Sequence, residues 1–377
     1  MELRKLEKLG IKTSLLGFGC MRFPKNADGS IDEVMSERMI DLAYRNGVNY
    51  FDTAYVYHEG NSELFTGKAL DRYDRSSYYL ATKLPCWLVE KTEDAERLLN
   101  EQLKKLNKDY IDFYLLHALN RESFDKMVSL GVLEVMDRLK AEGKIKYIGF
   151  SFHDGYEAFE HIIKFRDWDF CQIQLNYMDT EEQAGIKGYE LAEELGVPLI
   201  IMEPIKGGSL ARLPEEAARY LEEQEAERSA ASWALRWVGS LPNVKVILSG
   251  MSDEGQVQDN LETFKNFKAL NDKELQSITR VADLLRSRVK NGCTGCAYCM
   301  PCPAGVDIPK NFYIWNSYGM YNNEGELNWL WSNDIADSAK AASCVDCGQC
   351  EEACPQKLNI RTDLKTLQKE IDTICKK

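Results

Sequence analysis

Basic residues are in deficit in this chain of 377 residues: 47 lysines and arginines face 60 aspartates and glutamates, a formal net charge of −13. That balance argues against the basic patches by which proteins hold nucleic acid or anionic membranes. Long apolar runs are missing too. No stretch approaches the roughly eighteen uninterrupted apolar residues of a membrane-crossing helix. The opening MELRKLEKLGIKTSLLGFG has no apolar core of the signal-peptide kind. Low-complexity tracts and tandem repeats are likewise lacking. What is left, 44% hydrophobic and 28% charged residues, describes an ordinary globular protein. A reducing cytoplasm is its expected home, since many free thiols are implied. The length suits one large domain and a smaller one.

Cysteine is where the chain is rich. Of its 12 cysteines, eight fall into two tight runs near the C-terminus. The first run is Cys293, Cys296, Cys299 and Cys302; the second is Cys344, Cys347, Cys350 and Cys354. Each fourth cysteine is followed by proline, Pro303 and Pro355. Zinc also takes four thiolates, and disulfide scaffolds use dense cysteine. Zinc pairs, however, are usually separated by a long spacer, and here four cysteines are packed together twice. The second run has the C-x2-C-x2-C-x3-C-P spacing of bacterial ferredoxins; the first is one residue shorter in its last gap. The resemblance implies two 4Fe-4S clusters, with the fourth cysteine of each run ligating the other cluster. Cluster one then takes Cys293, Cys296, Cys299 and Cys354; cluster two takes Cys344, Cys347, Cys350 and Cys302. Cys20, Cys86, Cys171 and Cys375 are left over and expected to be reduced.

From residue 15 to about 250, eight short apolar runs alternate with amphipathic stretches of helical period. The runs begin at Leu15, Val48, Ser77, Tyr110, Lys146, Phe170, Pro198 and Val244. Near-continuous apolar strands separated by helices predict a parallel sheet buried on both faces, and eight units predict an α/β fold, a (β/α)8 barrel. RKLEKLGIKTS reads as a hairpin that closes the bottom of the barrel, and Asn271 to Lys290 as a helix leading out of it. Beyond that the composition turns to cysteine, proline and glycine. Two domains are therefore expected: a barrel over 1–287 and a small, mostly helical, ferredoxin-like domain over 288–377. The aromatic stretches IPKNFYIWNSYGMY and ELNWLWSNDI should be helical and pack over the clusters or the barrel. The tail IRTDLKTLQKEIDTICKK should be a closing helix whose basic end suits the helix dipole. The charged run from Pro214 reads as a solvated helical face.

Catalytic groups of such barrels gather where the strands end. Those ends carry Asp52 and Tyr57, then Lys83, then His117. The four suit reduction of a carbonyl, in which hydride adds to carbon while a proton must reach the oxygen. Tyrosine, with an ordinary pKa near 10, is a reluctant donor until an ammonium lies beside it, held by a carboxylate. Histidine can orient the carbonyl oxygen. At these residues the chain resembles the aldo-keto reductases. NYFDTAYVYHEGNSE carries the Asp-x4-Tyr signature of that family, Lys83 in LATKLP and His117 in FYLLH stand in their places, and the similarity covers about residues 1 to 270. His58, His153 and His161 are uncommitted. His58 could line the substrate pocket or pack a loop, and His153 lies beside a cofactor position.

The same resemblance implies NAD(P)H as cofactor and a small-molecule carbonyl as substrate. Ser151 and Gln172 match the residues that hold the nicotinamide carboxamide. The residue after the serine, asparagine in the family, is Phe152, and Met202 stands where an aromatic ring commonly stacks. Lys206-Gly207-Gly208 and Gly250-Met251-Ser252 suit a phosphate cradle. Gln256 and Asn260 match phosphate- and adenine-contacting positions, yet basic residues for the 2′-phosphate of NADP are missing from GMSDEGQVQDN. A nicotinamide passes two electrons together whereas a cluster accepts one, and joining them normally calls for a flavin; FMN in place of nicotinamide is thus an alternative. The leading expectation is an oxidoreductase with Tyr57 as proton donor, its clusters relaying electrons to or from an external carrier. Structural or oxygen-sensing clusters, or a non-enzymatic redox-sensing subunit, are the competing readings.

Overall fold

The structure, a computed structural model, describes residues 1–375. Lys376 and Lys377, the basic end expected of the closing helix, lie outside the described residues. The chain forms two compact units: Met1–Ala211 with Arg228–Leu275, and Arg212–Glu227 with the residues from Gln276 onward.

The first unit opens with an antiparallel hairpin, β1 (Leu3–Leu6) and β2 (Ile11–Ser14), in which Leu6 faces Ile11. Eight parallel strands follow: β3 (Leu16–Gly19), β4 (Tyr50–Asp52), β5 (Tyr79–Leu84), β6 (Ile111–Leu119), β7 (Ile145–Phe152), β8 (Phe170–Gln174), β9 (Leu199–Met202) and β10 (Val244–Ser249). They close in sequence order, with β10 returning to β3. The expected barrel and its hairpin are both present. The helices that cover it include α1 (Glu33–Arg45), α2 (Ser62–Leu70), α3 (Thr92–Leu106), α4 (Arg121–Ser129), α5 (Val132–Ala141), α6 (Tyr156–Phe165) and α7 (Gly185–Glu194). After α8 (Glu215–Glu222), which belongs to the second unit, α9 (Ala230–Gly239) and α10 (Glu254–Lys265) complete the set, and α11 (Asp272–Ser287) follows.

The strands are near-continuously apolar because both faces are buried. Their outward side chains meet the helices; their inward ones form a separate core with Leu6 of the hairpin. Phe113 is the hub inside, with ring centroids 5.0 Å from Tyr50, 4.9 Å from Phe170 and 5.1 Å from Tyr147. Truncating such a ring costs about 3–5 kcal/mol. Helix starts are set locally: Asp32 caps α1 by accepting from Met35 N at 3.0 Å, and Asp253 caps α10 through Gln256 N at 2.8 Å.

The second unit is helical. Its elements are α8, with Ala217 and Leu221 buried and its glutamates exposed, α11 from Gln276 onward, then α12 (Ile308–Tyr321), α13 (Glu324–Trp329), α14 (Gln349–Ala353) and α15 (Ile360–Cys375). The two aromatic stretches are indeed helical. Phe312 and Trp315 of α12 and Trp331 just beyond α13 join Leu364 and Leu367 of α15 in a core that also takes in Cys354.

Candidate functional site

Asp52 ends β4, Lys83 lies on β5, and the two meet inside the barrel, Lys83 Nζ donating to Asp52 Oδ1 at 2.7 Å. The same ammonium donates to Thr53 O at 2.8 Å and reaches the Tyr57 hydroxyl at 3.3 Å. Asp52 and Lys83 are buried. Burial opposes the charge on Lys83, but Asp52 and Tyr57 outweigh it and hold its pKa above the ordinary lysine value. Burial outweighs the pull of the Lys83 ammonium and leaves the Tyr57 phenol above the ordinary tyrosine value. A phenol in this position keeps its proton until a base takes it, and a cation waits beside the oxygen when it does.

His117 closes the group, its ring 6.2 Å from that of Tyr57 and nearly perpendicular to it. Burial, then Lys83, pushes its pKa down to about 3, so the ring is neutral; Nδ1 is buried without a partner. The strand does not run straight here. The β6–β7 register shifts between Leu116 and Leu119, and Ala118 sits at φ +52°. Ser151 Oγ, on β7, accepts from Ala118 N at 2.8 Å.

Sequence reasoning missed two neighbours. Trp87, in the turn after β5, lies 5.1 Å from the His117 ring and is half exposed. Arg22, after β3, packs its side chain over Gly250, where a Cβ would come within 2.7 Å of Arg22 Cγ. Both were findable, since each lies in a loop following a barrel strand, and such loops face the site. His58 is half-buried, at φ +51°, with its ring tilted against that of Phe23, 5.7 Å between centroids, rather than on the tyrosine. His153 is exposed. His161, on α6, is 3.6 Å from Asp125.

The residues matched to a nicotinamide cofactor are placed unevenly. Ser151 and Gln172 are paired across β7 and β8. Gln172 Oε1 is buried with no partner, while its nitrogen points at Met202 Sδ at 3.4 Å. An orphaned amide oxygen is what a carboxamide N–H would satisfy, and Ser151 keeps its own O–H free to donate. Phe152 faces away into the core against Phe159, 5.3 Å between centroids. Gly207 and Gly208 take φ +65° and +113° with open space where a Cβ would stand, which leaves a bare backbone cradle. Lys206, by contrast, is held bidentately by Asp179 at 2.6 and 2.7 Å. Gln256 folds back on Ser252 N and Asp253, and Asn260 turns inward to Ser249 Oγ at 2.9 Å. Those contacts would have to open or be shared for a dinucleotide to use them.

In the second unit the cysteines ring two cavities. One, of about 160 Å³, is lined by Cys302, Cys344, Cys347 and Cys350, with Cys299 also on its wall. The other, tighter at about 20 Å³, is lined by Cys293, Cys296, Cys299 and Cys354. The cavities therefore collect the fourth cysteine of each run with the first three of the other. Among the described residues no three His, Cys, Asp or Glu side chains converge on a single metal ion. A cubane takes one thiolate at each of four iron corners, so its ligands stand further apart than those of one ion, as thiols around a cavity do. The donor set, eight thiols in two groups, fits two such clusters. Cys20, Cys86 and Cys171 are buried free thiols, and Cys375 is exposed and free.

Residues 15–283 match the aldo/keto reductase family, and residues 292–358 match the 4Fe-4S dicluster domain. L-galactose dehydrogenase of Arabidopsis thaliana is 27% identical over 315 residues, which cover 77% of this chain and 96% of the plant protein. NADH-specific methylglyoxal reductase of Escherichia coli (strain K12) is 27% identical over 222 residues, covering 54% and 65%. Among solved structures, an aldo-keto reductase from Bacillus halodurans in its holo form superposes with a TM-score of 0.63 at 27% identity, covering 74% of this chain and 96% of that one.

Proposed function

This chain belongs to the aldo/keto reductase family and carries a 4Fe-4S dicluster domain, and from that premise we propose an NAD(P)H-dependent reductase of small carbonyl compounds, with Tyr57 as proton donor and the functional division near residue 287. The observation that carries the reading is the unbroken line of contacts from Asp52 to Lys83 to Tyr57.

Asp52 fixes the Lys83 ammonium, and Thr53 O leaves it one direction in which to act, toward the Tyr57 oxygen. As Tyr57 releases its proton to the substrate oxygen, that ammonium stabilises the phenolate left behind. The neutral His117 ring can donate one N–H to the same substrate oxygen and so orient it without adding charge. Val56, Trp87 and Leu88, all half exposed in the loops after β4 and β5, give the mouth an apolar rim. A carbonyl bearing an apolar substituent suits it better than a polyol.

Ser151 and the orphaned Gln172 oxygen would hold a nicotinamide carboxamide, and the Gly207–Gly208 backbone its phosphates. When bound, the nicotinamide supplies the hydride. The two cysteine sets would hold the clusters, which would supply single-electron transfer to or from an external carrier.

The test is Tyr57→Phe in anaerobically prepared full-length protein. Carbonyl reduction should fall by about 10²–10⁴-fold, with nicotinamide binding unchanged. An unaltered rate would refute the assignment of the donor. Iron, sulfide, nicotinamide and flavin analysis of the same preparation identifies the carriers; bound FMN would replace nicotinamide in this reading.

A further inference from the structure

We propose that Arg361 raises the reduction potential of the cluster held by Cys302, Cys344, Cys347 and Cys350 above that of its neighbour, so that a single electron entering the domain rests there. The inference depends on the cluster assignment above and adds to it an asymmetry that the cysteines themselves do not contain.

The asymmetry is in the walls. The cavity around Cys293, Cys296, Cys299 and Cys354 is completed by neutral side chains such as Thr294, Ile308, Phe312 and Leu358. The cavity around the other four cysteines has one charged side chain on its wall, Arg361. This residue, in the first turn of α15, lays its guanidinium over Gly348, 3.6 Å from where a Cβ at that position would stand. Gly348 lies between Cys347 and Cys350, so the cation sits against the loop that carries the thiols.

Its position is braced. Arg361 Nε and Nη2 fork onto Glu351 Oε2 at 2.9 and 2.8 Å, and Glu351 Oε1 accepts the Arg361 amide at 2.9 Å. Lys365 pairs with Asp346 at 2.9 Å. The two cations and two carboxylates cancel in sum, so proximity to the core decides, and of the four only the guanidinium lines the cavity. Arginine stays charged at any working pH. Each one-electron reduction puts one more negative charge on an iron–sulfur core while all four thiolates stay bonded. A fixed cation at the wall favours that reduced state, and local charge is among the levers that set cluster potentials.

Full-length protein, prepared anaerobically, is titrated with dithionite as electron donor and followed by electron paramagnetic resonance. Two waves are expected, and Cys354→Ser identifies the one belonging to the neutral-walled site. Arg361→Gln should shift the other, higher wave downward and leave the first in place, Glu351→Gln should shift the same wave upward, and Arg361→Lys should hold it near the wild-type position. The proposal is overturned if neither Gln variant moves a wave, if both waves move together, or if the higher wave belongs to the neutral-walled site. Should Arg361→Gln lose its cluster, shown by iron and sulfide falling by half, Glu351→Gln decides alone. Wild-type protein without acid-labile sulfide would sink the cluster assignment itself, a result distinct from any of these.

Discussion

The Ser151 hydroxyl accepts the Ala118 amide at 2.8 Å and so braces the residue that follows His117 in a left-handed conformation, φ +52°. An L-residue there costs about 1–2 kcal/mol relative to glycine. The hydrogen bond across β6 and β7 offsets part of that cost and fixes where the imidazole points. Ser151→Ala should therefore lower kcat for carbonyl reduction about tenfold, the loss of one such bond, beyond any weakening of cofactor binding. Ala118→Gly, added to that variant, should restore part of the rate by removing the strain. Steady-state kinetics alongside fluorescence titration of the cofactor separates the two effects.

His117 also leaves a mark on stability. Burial, then the Lys83 charge, lowers its pKa from 6.5 to about 3. Between those values the unfolded chain binds the extra proton and the native protein does not, so stability rises with pH across that window. The contribution is complete above the unfolded value and is lost as pH falls toward the folded one, at about 1.4 kcal/mol per pH unit. Chemical denaturation at about pH 5 and about pH 7 should show the wild type losing roughly 2 kcal/mol more than His117→Gln on acidification. Equal losses would mean that the ring is charged in the native state.

Much of this architecture is legible in the amino-acid sequence. The barrel strands were legible because burial on both faces makes them continuously apolar, and the Asp52–Lys83–Tyr57 contact because strand ends converge at one mouth. The hairpin was legible because its pairing is local. What escaped is what depends on partners far along the chain. Nothing around Ala118 announces a bulge, since its brace is Ser151, on the next strand. Gln256 and Asn260 match cofactor positions by family resemblance, yet their amides are engaged by Asp253 and Ser249. Arg361 reads as an ordinary helix-face cation until α15 is laid beside the Cys344–Cys350 loop.

Discrimination between the two nicotinamide dinucleotides should turn on Gln256. Its amide is exposed and folds onto the Asp253 carboxylate, Nε2 to Oδ2 at 2.7 Å, so the start of α10 presents acid and amide rather than a cation. The first turn of α10 offers a 2′-phosphate no cation, and Arg22 is turned onto Gly250, so NADH should bind at least as well as NADPH. Gln256→Arg supplies a charge-assisted donor set, worth about 1.5–3 kcal/mol. NADPH affinity should then rise tenfold or more relative to NADH. Equilibrium fluorescence titration of both cofactors checks this; an unchanged ratio would place the 2′-position elsewhere.

The two cavities group the fourth cysteine of each run with the other run, which predicts an outcome that simple sequence order does not. Cys302 lines the cavity of Cys344, Cys347 and Cys350, and Cys354 that of Cys293, Cys296 and Cys299. If ligation follows the cavities, Cys302→Ala should damage the same cluster as Cys347→Ala, although those residues lie in different runs. Cys354→Ala should pair in the same way with Cys296→Ala. Ligation within each run would instead group Cys302→Ala with Cys296→Ala. Iron content alone cannot separate these outcomes, because every variant weakens one site of two. The resonance lines of the surviving reduced cluster can, since two sites with different surroundings give different spectra. Matching spectra from Cys302→Ala and Cys347→Ala, distinct from that of Cys296→Ala, are expected. Crossed ligation would tie the two cysteine runs together through metal, so the thermal transition of the second unit should drop sharply when either cluster is removed by chelation, while the barrel, which has its own core, unfolds where it did before.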